Sequence, residues 1–152
     1  TQRLQQAGYC HYEISNYALN GQHSQHNSSY WNRVPYFGFG PAACSYFNEK
    51  RTSNTYDIRR YIEAQKNQSL YYETEILTND DIFNEIIMLK LRTKEGVNLS
   101  SISQLDKKYT AHFLKNVKTF IDDGSVLHID DNYRINEKSW FSSNYIISRL
   151  FV

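Results

Sequence analysis

Cysteine and proline are scarce in this sequence, with two residues of each among 152. Cys10 and Cys44 lie far apart and form no CxxC pair, so no zinc or iron–sulfur framework can be read from them. Such sparing use of cysteine is typical of a reducing compartment, and a cytoplasmic location is predicted. We expect Cys44 to be a small buried side chain, because nothing around it indicates a reactive thiol.

Net charge is also small, at +1, and gives no overall attraction to nucleic acid or to an anionic membrane. No apolar run approaches the length of a membrane span, and no signal-peptide pattern opens the chain. The first residue is Thr1, and the sequence begins in what reads as the middle of a helix. The chain is therefore predicted to be a fragment of a longer protein.

Apolar residues are plentiful enough for a packed core, at 40%, and aromatic residues reach 15% with thirteen tyrosines. The length fits one domain or two small ones. Elements in the first half are short. The predicted elements are a helix tail over 1–7, a strand over 9–14, a polar loop over 15–29, strands over 36–39 and 43–47, and a helix over 57–67.

From about Glu75 onward the apolar spacing is that of regular helices. Thr78 and Asp81 form a capping-box pattern at the start of the first one. The predicted elements are a helix over 78–91, a short helix near 99–105, a helix over 107–123, a hairpin over 126–135 and a last helix capped by Asn136. This order predicts a winged-helix-like module and an α+β fold class.

The stretch "HNSSYW" combines groups that bind ligands. His26 follows a polar loop, and its imidazole could ligate an iron or pair with a carboxylate. Tyr30, four residues on, shares a helical face with His26 if the chain is helical there. Trp31 offers a flat surface for a conjugated ring. Lone histidines are more often structural, so these residues alone favour a loop anchored by rings over a ligand site.

Gly38, Gly40 and Glu13 are further candidates. The two glycines lack the third glycine and the following helix of a dinucleotide fingerprint, which favours the close approach of a backbone or a ligand. Glu13, in "YEISN", could hold a ligand hydroxyl or amine, or could equally cap a neighbouring loop.

The remaining histidines have no metal-ligand spacing; they are His11, His23, His112 and His128. Four lysines on one predicted helix could contact DNA phosphates if the module binds nucleic acid, namely Lys107, Lys108, Lys115 and Lys118. Asp106, Asp122 and Asp123 bracket them, which favours a solvated face. No nucleic-acid partner is therefore expected.

Taken in order, "GYCHYEISNYA", "HNSSYW", "YFGFGPAACSY" and "IIMLKLRTKEGVNL" resemble one family: radical SAM proteins related to oxygen-independent coproporphyrinogen III oxidase, including HemW-type haem chaperones. The resemblance covers nearly the whole chain, and HNxxYW (His26, Asn27, Tyr30, Trp31) and YEISN are its specific parts. It implies that residues 1–54 are the last strands of a radical SAM partial barrel. Residues 55–152 would then be the mainly helical C-terminal domain with its hairpin.

The resemblance also implies a function. In the HemW-type branch HNxxYW is associated with haem binding, so His26 becomes a candidate ligand of haem iron, with Asn27, Tyr30 and Trp31 around it. Glu13, Gly38 and Gly40 would shape the barrel mouth. The expected partners are haem or porphyrin and recipient haem proteins. Peripheral membrane contact by the longer protein and its oligomeric state are left open.

Family members bind a 4Fe-4S cluster and S-adenosylmethionine through a CxxxCxxC motif that this chain lacks, so the chain alone is not expected to be an enzyme. The longer protein could instead be a coproporphyrinogen III oxidase of porphyrin biosynthesis, which decarboxylates coproporphyrinogen III to protoporphyrinogen IX. Cys44 departs from the family, which commonly has a histidine in a G-A-H-S-like run there. A winged-helix nucleic-acid-binding module is the third interpretation.

Overall fold

A computed structural model describes residues 1–152 and shows helices combined with three small antiparallel sheets, which confirms the α+β class. The chain forms two compact units. One contains Thr1–Asn32 together with Asn79–Val152, and the other contains Arg33–Thr78.

The first unit is built mainly from helices. Its elements are α1 (Gln2–Gln6), β1 (Cys10–Glu13), β2 (Asn16–Ala18), α2 (Gln25–Trp31), α4 (Asn79–Lys90), β6 (Val97–Asn98), α5 (Leu99–Ser103), α6 (Lys107–Asp122), β7 (Val126–Ile129), β8 (Asn132–Ile135), a 3-10 helix (Glu137–Ser142) and α7 (Ser143–Leu150). Strands β1 and β2 form a hairpin, and β6, β8 and β7 form a sheet in that order.

The core of this unit lies where α4, α6 and α7 meet the three-stranded sheet. Helix α6 buries Tyr109, Phe113, Val117 and Phe120, which recur at helical spacing on one face. The sequence order helix, strand, helix, helix and two strands is compatible with a winged-helix-like module. That finer description stays a prediction.

A short backbone pairing joins β1 to the segment after α4. Ile14 donates its N–H to the carbonyl of Arg92 (2.9 Å), and Lys94 donates to the carbonyl of Tyr12 (3.0 Å). Glu13 and Thr93 lie opposite each other between these bonds. The first part of the sequence is thereby held to the segment that follows α4, in one unit.

The second unit is a three-stranded antiparallel sheet with one helix. Its elements are β3 (Cys44–Phe47), β4 (Lys50–Asn54), α3 (Ile58–Lys66) and β5 (Tyr72–Ile76), and the strand order is β3, β4, β5. Asn48 and Glu49 both have positive φ, which suits the two-residue turn between β3 and β4. Asp57 caps α3 as its carboxylate accepts from the N–H groups of Arg59 and Arg60.

Several predictions from the sequence are wrong. The polar stretch 15–29 contains β2 and most of α2, because a serine cap and tertiary packing replace the missing apolar repeat. Of the strand predicted over 36–39, only a single bridge from Tyr36 to Tyr46 forms. Cys44 is exposed, with its Sγ 3.4 Å from the Oγ of Ser53, since its position on the small sheet is not covered.

The last predicted helix is divided. Asn136 caps it as expected, by accepting from the N–H of Lys138 (3.2 Å), but the first six residues are 3-10 helical before α7 begins.

The predicted division near Asn54 lies inside the second unit, between β4 and α3, and so differs from the division by contacts. As a boundary between a barrel edge and a C-terminal domain it stays a prediction. None of the helices is long and apolar enough to cross a membrane.

Truncation of the α6 core should be strongly destabilising. Phe113 is fully buried, so Phe113→Ala should lower the free energy of unfolding by about 3–5 kcal/mol through lost burial and the cavity left behind. The adjacent Leu114 is 41% exposed, and Leu114→Ala should change stability by less than about 1 kcal/mol. Urea unfolding followed by circular dichroism measures both; equal losses would contradict this placement of the core.

Acid should weaken a contact between α4 and α6. The buried Tyr109 donates its hydroxyl to the Oδ1 of Asp80 (2.5 Å), and this hydrogen bond, with Lys108 nearby, lowers the pKa of the Asp80 carboxyl. Because the pKa of Asp80 is lower in the folded state than the unfolded value of about 3.9, the ionised carboxylate stabilises the fold at pH values above about 3.9. This stabilisation is lost as the pH falls through the folded-state pKa.

Asp80→Asn should therefore be less stable than the parent chain at pH 7, with the difference shrinking as pH falls below about 4. Thermal unfolding at several pH values measures this. Tyr109→Phe removes the donor while leaving the carboxylate at the start of α4, and should show the same trend. A difference that stays constant with pH would refute the linkage.

Candidate functional site

Helix α2 carries the HNxxYW residues and begins at a serine cap. Ser24 is extended, and its side-chain oxygen accepts from the N–H of Asn27 (3.2 Å). Ser29 donates its hydroxyl to the carbonyl of Gln25 one turn earlier (2.9 Å). This cap satisfies one of the otherwise unpaired N–H groups of a helix of only seven residues, which lacks an apolar repeat of its own.

His26 and Tyr30 lie on one exposed face of α2, as their spacing predicts. Their ring centroids are 4.9 Å apart at an interplanar angle of 87°, so the two rings meet edge to face. His26 is exposed, and Tyr30 is 39% exposed. The imidazole is thus both accessible and held in a defined orientation by a neighbouring ring.

Both ends of α2 are attached to the rest of the first unit. At its start, the N–H of Ser24 donates to the hydroxyl of Tyr12 (3.4 Å), and the ring of His23 stacks on that of Tyr12 at 4.3 Å. At its end, Lys90 on α4 donates to the Oδ1 of Asn32 (2.5 Å). These contacts fix the helix that presents His26.

Asn27 and Trp31 are partly buried on α2. The indole Nε1 of Trp31 is buried and has no hydrogen-bond partner, and an unsatisfied buried donor of this kind is uncommon. Of the predicted set, the structure thus brings His26 and Tyr30 into direct contact, while Asn27 supplies a capped backbone N–H. Their roles toward a ligand stay predictions.

Glu13 is fully buried at the end of β1. Its two carboxylate oxygens accept from the hydroxyl of Ser15 at 3.1 and 3.4 Å. Of the two interpretations left open by the sequence, this geometry favours the one in which Glu13 caps the neighbouring turn. A role of Glu13 toward a ligand stays a prediction.

The two candidate glycines lie in the second unit. Gly38 donates its N–H to the Oγ of Ser45 (2.9 Å), and a Cβ on it would lie 2.1 Å from the carbonyl oxygen of Cys44. Glycine is therefore required at 38 by a neighbouring backbone, one of the two expected causes. Gly40 has a φ of +100°, and its carbonyl accepts from the side chain of Asn54 (2.9 Å).

The other histidines have structural surroundings. His11 is buried between the rings of Tyr17 and Trp140, and this burial lowers the pKa of its imidazole. His112 bonds to the carbonyl of Phe151 at 3.0 Å. Of the four α6 lysines, Lys108 pairs with Asp80 at 3.5 Å. His23 and His128 are also exposed and stack on Tyr12 and Tyr133, so His26 differs from them in that its partner ring, Tyr30, lies on the same helix.

Sequence reasoning missed the residues that support α2. The helix is held by four residues, namely Ser24, Tyr12, His23 and Lys90. Only Ser24 has a local sequence signal, because it is a typical cap residue that lies three positions before the residue whose N–H it accepts. The contact from Lys90 joins residues 58 positions apart and leaves no trace in local sequence.

Comparison with known proteins agrees with the resemblance seen in the sequence. The family model of the HemN C-terminal domain matches residues 77–141. Heme chaperone HemW of Synechocystis sp. is 35% identical over 124 residues, covering 78% of this chain and 30% of that protein. Heme chaperone HemW of Lactococcus lactis is 30% identical over 138 residues, covering 84% of this chain and 35% of that protein.

The chain thus spans about a third of the length of the curated relatives it matches. A mitochondrial relative from Bos taurus, radical S-adenosyl methionine domain-containing protein 1, is 29% identical over 82% of this chain and 31% of its own length.

A solved structure has the same fold. It is coproporphyrinogen III oxidase (HemN) from Escherichia coli, described as a radical SAM enzyme, with a TM-score of 0.72 and 19% identity over 99% of this chain and 39% of that one. The matched C-terminal domain, the HemW relatives and this shared fold agree with one another. The chain belongs to the HemW/HemN-type family of radical SAM proteins and corresponds to the C-terminal part of its members.

Proposed function

We propose that this chain binds haem through His26, as the C-terminal part of a cytoplasmic haem chaperone that delivers haem to recipient haem proteins. The HemW relatives are named as heme chaperones, and they support the chaperone branch of the family. Haem is the cargo here and not a resident cofactor. The observation that carries the proposal is the exposed, ring-oriented imidazole of His26 on a helix held at both ends.

The chemistry required of His26 is reversible ligation. A neutral imidazole nitrogen donates a lone pair to haem iron, and an exposed single ligand can release the iron again when a recipient offers its own. Tyr30 restricts the imidazole by its edge-to-face contact, which lowers the entropy lost on binding. The aromatic rings of Tyr30 and Trp31 also provide flat apolar surface for a porphyrin.

Haem binding by α2 needs support that does not compete with the ligand. Ser24 caps the helix, and Lys90 bonds to Asn32 just beyond its end, so neither contact occupies the imidazole of His26. Asn27 contributes its backbone N–H to the cap, a contact that does not involve its side chain.

The residues of this chain do not fit a 4Fe-4S cluster. The family's radical SAM relatives imply a cluster and S-adenosylmethionine in the longer protein. Here Cys10 and Cys44 are single, widely separated thiols without the CxxxCxxC spacing. No radical step is therefore assigned to these residues.

The proposal predicts that His26→Ala impairs haem binding. The 152-residue chain, titrated with ferric haem, should show a saturable change in the Soret absorbance, and His26→Ala should weaken binding by about tenfold or more, since loss of 1.4 kcal/mol corresponds to a factor of ten. The Soret position should also shift, because the iron loses its imidazole ligand.

The matched control is His128→Ala, which removes another exposed histidine, one stacked on Tyr133 in the hairpin. It should leave the affinity and the Soret position unchanged. Circular dichroism confirms that both variants fold. Absence of saturable binding to the parent chain, or equal affinity of parent and His26→Ala, would refute haem ligation by His26.

A further inference from the structure

Strand β5 forms an open edge of the sheet in the second unit. The strand order places β4 on one side of it and no strand on the other. All five residues of Tyr72–Ile76 are exposed. An uncovered edge strand presents backbone groups that can pair with another chain.

The pairing register shows which backbone groups are free. Thr55 donates to the carbonyl of Tyr71 (2.7 Å), and Leu77 donates to the carbonyl of Glu49 (2.9 Å). In an antiparallel ladder every second residue bonds to the same neighbour, so residues 71, 73, 75 and 77 direct their main-chain groups to β4. The N–H and C=O groups of Tyr72, Thr74 and Ile76 therefore point to the free edge.

This edge carries charged side chains only at Glu73 and Glu75, which share one face, and lacks the other features that usually prevent strand addition. The sequence "YETEI" has no proline and no lysine, and its pairing with β4 runs without a bulge over five residue pairs. Apolar side chains are exposed along it, with Ile76 at 71% and Tyr72 at 43%. The strand is thus regularly paired on one side, open on the other and partly apolar, and it can accept an added strand whose charges match its two carboxylates.

The charges on β5 indicate what kind of strand fits. Glu73 and Glu75 share one face; Glu75 pairs with Arg51 of β4 at 3.2 Å, whereas Glu73 lies opposite the uncharged Ser53. Pairing of β5 with β5 of a second copy about Thr74 would set Glu73 against Glu75, and like charges directly opposite are destabilising. A partner strand with basic side chains on this face is favoured.

A cleft lies at the start of the same strand. It measures about 310 Å³, and its lining includes Tyr56, Leu70 and Tyr72 together with the charged residues Arg60 and Glu73. Tyr56 and Leu70 are 86% and 74% exposed, so the cleft opens to solvent. Strand addition gains specificity where a side chain of the added strand enters such a cleft.

We propose that the free edge of β5 is a docking site for an extended segment of a partner protein, which adds as a fourth, antiparallel strand. Its basic side chains face Glu73 and Glu75, its alternate residues are apolar, and a terminal aromatic or aliphatic side chain enters the cleft at Tyr56, Leu70 and Tyr72. The proposal uses only the second unit and does not depend on haem binding.

A synthetic peptide of alternating lysine and valine, ending in phenylalanine and carrying a fluorophore, tests the proposal by fluorescence anisotropy with the 152-residue chain. In the proposed pairing the valines exchange hydrogen bonds with Tyr72, Thr74 and Ile76. N-methylation of the valines should therefore weaken binding by about tenfold or more, whereas N-methylation of the lysines should leave it unchanged.

Two variants of the chain test charge and backbone separately. Glu73→Lys should weaken peptide binding by about threefold to tenfold, as an attractive cross-strand pair becomes repulsive. Glu63→Lys, an exposed glutamate on α3, makes the same charge change away from the edge and should have no effect. Thr74→Pro removes an N–H that points away from β4, so it should abolish binding while circular dichroism stays unchanged.

Binding that tolerates N-methylation of the valines, or that Glu63→Lys weakens as much as Glu73→Lys, would show general charge attraction and overturn the proposal. Failure of the unmodified peptide to bind would also overturn it. Sedimentation of the chain alone adds a third outcome: a dimer that Thr74→Pro dissociates would assign the edge to a second copy of the chain instead.

Discussion

The short pairing between Tyr12–Ile14 and Arg92–Lys94 is the interaction on which the arrangement of the first unit depends. It joins the beginning of the chain to the segment that follows α4, across about eighty residues of sequence. Glu13 lies at its centre, fully buried, with its carboxylate on the hydroxyl of Ser15. A buried carboxylate without such partners is unfavourable, so the turn at Ser15 and the pairing are coupled.

The candidate haem site is attached to this pairing through Tyr12. The hydroxyl of Tyr12 receives the N–H of Ser24, and its ring supports that of His23, so the start of α2 is placed by the same strand that carries Glu13. The bond from Lys90 to Asn32 then places the end of α2. The family motifs YEISN and HNxxYW are thus physically connected, and the first supports the helix that presents the second.

The second unit has a different character. Its strands are short and largely exposed, its one buried aromatic ring is that of Tyr46, and the sheet leaves β5 open. Tyr46 receives a hydrogen bond from Arg33 (2.7 Å) and donates one to Glu49 (2.9 Å), which ties the turn between β3 and β4 to the start of the unit. Burial and the bond to Glu49 raise the pKa of its hydroxyl.

The sequence by itself determined those elements whose signal is local: α3 and α6 from apolar spacing, the β7–β8 hairpin from its turn residues, the cap at Asn136, the contact of His26 with Tyr30 four residues apart, and the family. Only the tertiary structure decided that polar residues 25–31 form a helix, that Cys44 is exposed, that Glu13 is enclosed by a turn, and that β5 adds to the sheet and leaves an edge free. The physical reason is range. Helical spacing, turn chemistry and capping act over a few residues. A helix without an apolar repeat, or a strand without alternation, forms only when distant parts of the chain supply hydrogen bonds to it and bury its side chains.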